Sequence, residues 1–142
     1  MIQTEIPFYY LVRQPKETVT SPPPLLIMLH GYGSNEEDLF GFADFLPDDL
    51  LIISLRAPYT LQPYGYAWYA IHWDQADGKF SDTEQAKKSK NQLIDLLDVL
   101  PQHFTYDPQR VGLMGYSQGA ILSMAVGLQV QKIKYVIGLA GT

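Results

Sequence analysis

The sequence predicts one three-layer α/β domain built on a mostly parallel sheet. Short continuous apolar runs bounded by turn residues recur at positions 25–29, 50–55, 110–114 and 135–139. Runs of this kind fit strands buried on both faces. Amphipathic helical patterns lie between them, and strands that alternate with helices imply parallel pairing through right-handed crossovers. The length of 142 residues allows one core and is too short to expect two.

In chain order, residues 8–12 form a weaker strand suited to a sheet edge. Ser21-Pro22-Pro23-Pro24 cannot continue a helix and delivers an extended chain into the 25–29 strand. No helical pattern separates these first two strands, so the start of the sheet is expected to be antiparallel. A short helix is expected between Glu36 and Phe45, ahead of the 50–55 strand. Ser81 followed by Glu84 has capping-box spacing. Beyond it Ala86, Leu93, Ile94, Leu97 and Leu100 form one apolar stripe, and Pro101 disfavours continuation. After the 110–114 strand, a helix over 117–129 is expected to bury Ala120, Ile121, Met124, Ala125 and Leu128. The 135–139 strand is of the buried type, not the polar type expected of a last strand at an edge.

Composition narrows the function. Hydrophobic residues make up 46% and charged residues 18%, with a formal net charge of −5. No basic stripe exists to neutralise phosphates, which argues against nucleic acid. Lys87, Lys88 and Lys90 read as a solvated helix face. Absence of cysteine excludes disulfides, thiolate metal sites and a cysteine nucleophile. The N-terminal stretch lacks the basic start and apolar core of a signal peptide. No apolar run approaches the roughly 18 residues needed to cross a bilayer. The expectation is a cytoplasmic protein without metal or cofactor, acting on a small molecule, with a homodimer left open.

The segment with chemical content is Gly115-Tyr116-Ser117-Gln118-Gly119. Gly-x-Ser-x-Gly arises by chance in roughly one chain in twenty of this length, so the pattern alone is weak. Its context is stronger, because it directly follows a predicted buried strand and directly precedes a predicted helix. That junction would present the Ser117 hydroxyl at the rim of the sheet beside a helix N-terminus, whose free N–H groups suit an oxyanion. The plain alternative is a serine N-cap on an ordinary turn. His30-Gly31-Tyr32-Gly33, after the 25–29 strand, is a second candidate element. The backbone N–H groups of Tyr32 and Gln118 are the candidate oxyanion donors. His30 reads as a turn-stabilising residue and not as a base.

These motifs together resemble the phospholipase/carboxylesterase family of α/β-hydrolases, which includes the acyl-protein thioesterases. The run from Leu29 to Leu39, Arg56-Ala57-Pro58, Tyr66-Ala67-Trp68-Tyr69, the Ser117 pentapeptide and Leu139-Ala140-Gly141 resemble the family's motifs in order. The resemblance implies an esterase with Ser117 as nucleophile, framed by His30, Gly31, Gly33, Gly115 and Gly119. It also implies an α/β-hydrolase domain incomplete at its C-terminus, with residues 1–142 as its N-terminal two-thirds. In this fold the acid and the histidine follow the serine, and His30, His72 and His103 all precede Ser117. His72 near Asp74 is the best internal substitute, in the wrong order; His103 reads as a surface residue.

Tyr59, Tyr64, Tyr66, Trp68, Tyr69 and Trp73 crowd one segment. They suggest either an acyl or alcohol pocket, with Tyr66, Trp68 and Tyr69 as its candidate residues, or rings packed over the sheet. A small or medium carboxylic ester is the expected substrate, with thioesters and lysophospholipids open. The rival from another class is a non-catalytic module that binds a small anion or carboxylate at the Ser117 helix N-terminus.

Overall fold

A computed structural model describes residues 5–16, 21–76 and 78–139. Its strands are β1 (Tyr10–Arg13), β2 (Leu25–Leu29), β3 (Leu51–Leu55), β4 (Tyr59–Thr60), β5 (Tyr66–Ala67), β6 (Ile71–Asp74), β7 (Gly78–Ser81), β8 (Val111–Tyr116) and β9 (Tyr135–Leu139). Its α-helices are α1 (Glu36–Phe40), α2 (Thr83–Val99) and α3 (Gln118–Gln129). The main sheet has the order β1-β3-β2-β8-β9. Strands β3, β2, β8 and β9 are parallel, and β1 pairs antiparallel with β3 at the edge. The expected antiparallel start is therefore present, with β3 rather than β2 as its partner.

Alternation along the central strands sorts the core into two layers, because successive side chains point to opposite faces. Leu25, Ile27, Leu29, Leu51, Ile53, Leu55 and Leu113 pack with Leu93, Leu96 and Leu97 of α2 and with Leu122 and Val126 of α3. Leu26, Met28, Ile52 and Met114 pack on the other face with Leu39 of α1 and with Ala43 and Leu50. The continuous apolar runs are thus accounted for by helices on both sides of the sheet. Among the described residues, no helix is long and apolar enough to cross a membrane.

Several expectations need correction. The cap of α2 is Asp82, whose Oδ1 accepts from the Gln85 amide at 3.0 Å; Ser81 instead ends β7, where it pairs with Ile71. The weak first strand is displaced to 10–13. Helix α3 buries Ala120, Leu122 and Val126, whereas Ile121, Met124 and Leu128 are 44%, 55% and 90% exposed. The helix is apolar around most of its circumference, so periodicity gave no stripe to choose. Strand β9 lies at the edge of the sheet formed by the described residues, with Tyr135, Ile137 and Leu139 exposed. The hairpins β4–β5 and β6–β7 had no signature, since two strands have two residues each and the others are mostly exposed. Ala140, Gly141 and Thr142, which carry part of the last motif, lie outside the described residues.

The α3 assignment has a direct check. Leu122→Ala is expected to cost about 2–5 kcal/mol in urea unfolding, while Leu128→Ala stays within about 0.5 kcal/mol. Equal costs would restore the face expected from sequence.

Candidate active site

Strand β8 passes into helix α3 through one residue, Ser117. Turning within one residue forces it out of ordinary backbone space. Ser117 has φ 54° and ψ −115°, the only non-glycine positive φ among the described residues. Such a conformation costs of order 1–3 kcal/mol and persists where surrounding structure over-determines it. Here the Ser117 amide donates to the Leu139 carbonyl at 2.8 Å. Its own carbonyl accepts from the amides of Ala120 and Ile121 at 2.9 and 3.1 Å. The residue is half-buried at the C-terminal rim of the parallel strands.

The flanking glycines are required by close approach. A Cβ on Gly119 would lie 2.1 Å from the Leu29 carbonyl oxygen and 2.5 Å from that of His30. A Cβ on Gly115 would lie 2.3 Å from the Gly119 oxygen. The first turn of α3 therefore rests directly on main chain at the end of β2. Gly31 abuts the serine itself: a Cβ there would come within 3.4 Å of the Ser117 Cβ and 3.2 Å of the Tyr116 oxygen. The 31–34 turn closes with Ser34 N–H to Gly31 O at 3.1 Å. It is tied to β5 by Gly33 N–H to Tyr66 O and Tyr66 N–H to Ser34 O, both 2.9 Å. Tyr32 sits at the exposed tip of this turn. Gln118 opens α3, so its N–H has no carbonyl earlier in the helix to bond.

A buried neutral network holds these segments. The Nε2 of His30 accepts from the Ala57 amide at 3.0 Å, which assigns the proton to Nδ1, and Nδ1 donates to Gly31 O at 2.8 Å. Burial lowers the His30 pKa, so both ring nitrogens serve the scaffold and the ring is neutral. The Trp68 indole donates to His30 O at 2.8 Å. The Gln118 side chain clamps the same segment: Oε1 accepts from the Trp68 amide and Nε2 donates to Tyr69 O, both at 2.8 Å. Ser89 of α2 donates to Trp68 O at 2.6 Å. One charged pair lies behind the turn. Arg56 Nε and a terminal nitrogen donate to the buried Glu36 carboxylate at 2.9 and 2.7 Å. The guanidinium lies 4.1 Å from the Tyr9 ring centre and 4.5 Å from that of Tyr66. Its hydrogen bonds hold the Glu36 carboxyl below the usual range, against the opposing effect of burial.

The structure thus brings Ser117, Gln118, Gly31 and the Tyr32 turn together, but it does not assemble the aromatic segment into one pocket wall. Trp68 is wholly buried in the core, because its indole nitrogen needs the His30 carbonyl. Tyr66 covers Arg56, Tyr69 is nearly buried, and Tyr64 and Trp73 project into solvent. His72 pairs with Asp82 at 3.1 Å, not with Asp74, which accepts from the Ala76 amide; hairpin pairing sets Asp74 opposite Gly78 and away from the α2 cap. His103 is exposed, as expected. The Glu36–Arg56 pair and the Gln118 clamp went unread in the sequence. The one available signal was a polar residue opening an otherwise apolar helix.

Two measurements follow from this scaffold. Gly119→Ala must displace backbone and is expected to cost about 3 kcal/mol in denaturant unfolding; a neutral effect would refute the close approach. Acid should destabilise the fold in two steps. His30 has a lowered folded pKa, so its contribution is intact above its unfolded value of 6.5 and is lost as pH falls through the folded value. The Glu36 contribution is intact above its ordinary value of 4.5 and is lost further down in the same sense. His30→Asn should abolish the upper step in unfolding curves taken from pH 8 to 5; an unchanged slope would contradict a buried neutral ring.

The chain is similar to known proteins along nearly its whole length. The model of the phospholipase/carboxylesterase family matches residues 12–142. The fold superimposes on the Bacillus cereus carboxylesterase with a TM-score of 0.70 at 21% identity, covering 93% of this chain and 59% of that one. For a carboxylesterase from Mesorhizobium loti the TM-score is 0.72 at 16% identity, covering 99% and 66%. For acyl-protein thioesterase 2 of Zea mays it is 0.59 at 22% identity, covering 84% and 50%. The chain therefore spans between half and two-thirds of the length of these structures. They share the three-layer α/β-hydrolase architecture, and the chain belongs to the phospholipase/carboxylesterase family.

Proposed function

We propose that this chain carries the nucleophile half of a serine hydrolase that cleaves carboxylic esters through an acyl-enzyme. The observation that carries the reading is the strained Ser117 backbone at the strand–helix junction, in contact with Gly31. In this reading the Ser117 Oγ attacks the ester carbonyl and gives its proton to a base. The N–H groups of Tyr32 and Gln118 hold the negative charge that develops on the carbonyl oxygen. The tetrahedral adduct collapses, the leaving alcohol takes the proton, and water later releases the acid by the same steps in reverse order.

The base and acid are assigned to a histidine and an aspartate beyond residue 142. Two arguments support this. In this fold they follow the serine in chain order, and the similar solved structures extend well beyond the matched region. His30 is committed to the scaffold and His72 to Asp82. Thioester and lysophospholipid substrates fit the same chemistry; the family is described as phospholipase/carboxylesterase, and the Zea mays neighbour is an acyl-protein thioesterase. We place the protein in the cytoplasm, acting on small molecules with neither metal nor cofactor, as a monomer or homodimer.

A fluorophosphonate probe tests the assignment. The full-length protein should label, and Ser117→Ala should abolish labelling and lower ester kcat/KM by at least about a thousandfold. Persistent labelling of the variant, or none of the wild type, would overturn it. The anion-binding alternative then gains if acetate still binds at the start of α3.

A further inference from the structure

A second feature lies near the start of α3, and of the motif residues only Tyr69 contributes to it. Tyr69, Ala86, Ile121, Leu122 and Ala125 line an apolar groove of about 300 Å³ between the N-terminal halves of α2 and α3, and Lys87 and Lys90 stand on its α2 side. Two links tie it to the serine. Ile121 is four residues after Ser117, and its amide bonds to the Ser117 carbonyl at 3.1 Å. Tyr69 is held by the Gln118 side chain, the residue next to Ser117.

The groove combines two kinds of surface. Ile121 is 44% exposed, a large apolar side chain left in solvent. Among the described residues, neither Lys87 nor Lys90 has an ion-pair partner. At the start of α2, Asp82 is occupied by the Gln85 amide and His72, and Glu84 in the first turn forms no ion pair with either lysine. Hydroxyls of Ser81 and Thr83 also line the groove and can donate. An apolar trough flanked by two unpaired ammonium groups suits an apolar chain that carries an anion.

We propose that this groove is the subsite for one arm of the substrate, a short aliphatic chain ending in a carboxylate. The substrate class becomes an ester with a negative charge at the far end of its acyl or alcohol arm. The proposal rests on Ser117 being the nucleophile, but occupancy of the groove can be measured without catalysis. The apolar walls take the methylenes, and Lys87 and Lys90 select the charge.

The test uses the full-length protein and its Ser117→Ala variant. In methyl NMR, octanoate should shift the resonances of Ala86, Ile121 and Ala125 in both proteins, with Kd about tenfold tighter than in Lys87→Gln/Lys90→Gln, the scale of two partly exposed ion pairs. Lys88→Gln, which does not line the groove, serves as the control and should match wild type. Added salt should weaken the binding. Shifts elsewhere, or an affinity indifferent to the two lysines, would overturn the proposal even if the protein proves to be an esterase. In the active protein, para-nitrophenyl hydrogen suberate carries the charge on the acyl arm, and the butyrate ester of ω-hydroxyoctanoate carries it on the alcohol arm. The double lysine variant should lower kcat/KM for one of them about tenfold relative to its uncharged counterpart; no loss of either preference counts against the subsite. Binding without fluorophosphonate labelling would instead remove the esterase reading and leave the groove.

Discussion

The site depends on one contact between backbones. Gly119 rests against the carbonyl oxygens of Leu29 and His30 at a distance that leaves no room for a methyl group. That contact docks the start of α3 on the end of β2. It also brings the two turns together, since a Cβ on the residue after His30 would come within 3.4 Å of the Ser117 Cβ. His30 O is shared in this arrangement, packing against Gly119 and accepting the Trp68 indole N–H. A side chain at position 119 would separate the helix from the strand and misplace the indole at once. The strain at Ser117 is a consequence, because a strand and a helix packed this closely leave one residue to make the turn.

Around the turn the buried polar groups are neutral: the His30 ring, the Gln118 amide and the Trp68 indole. The Glu36–Arg56 ion pair sits behind the turn where α1 meets β3. Ser54 reinforces it by donating to Glu36 O at 2.6 Å. Fixed dipoles act more strongly where water and mobile charge are kept away. A cationic ring at position 30 would set a full charge beside the turn and would lose the hydrogen bond from Ala57. Burial suppresses that state.

How much of this could be read from the sequence varied with the physics involved. The central strands 25–29 and 50–55 were legible because burial on both faces demands unbroken apolar residues. The serine junction was legible because its glycines answer a steric demand that few other sequences meet. The faces of α3 were not, since Ile121, Met124 and Leu128 are as apolar as Leu122 and Val126, and only the sheet decides which of them it covers. The fate of Trp68 was equally hidden. A tryptophan in an aromatic run suits a pocket or a core equally well, and the choice here is made by a hydrogen bond to a carbonyl thirty-eight residues earlier. Long-range polar pairs such as Gln118 with Trp68 leave no periodic trace.

In the proposed reading, reactivity and selectivity rest on different parts of the molecule. The proposed reacting geometry is carried by backbone at residues 31–32 and 117–119, and side-chain substitution would reach it through steric displacement. The groove is made of side chains on α2 and α3, whose backbones are fixed by the core on the other side of each helix. Lys87, Lys90 and Ile121 project from helix surfaces that the sheet does not touch. Under that proposal, changing them would alter which chains are held without altering how the serine is presented. The substrate could then vary through a few surface residues while the Ser117 junction stays under steric constraint.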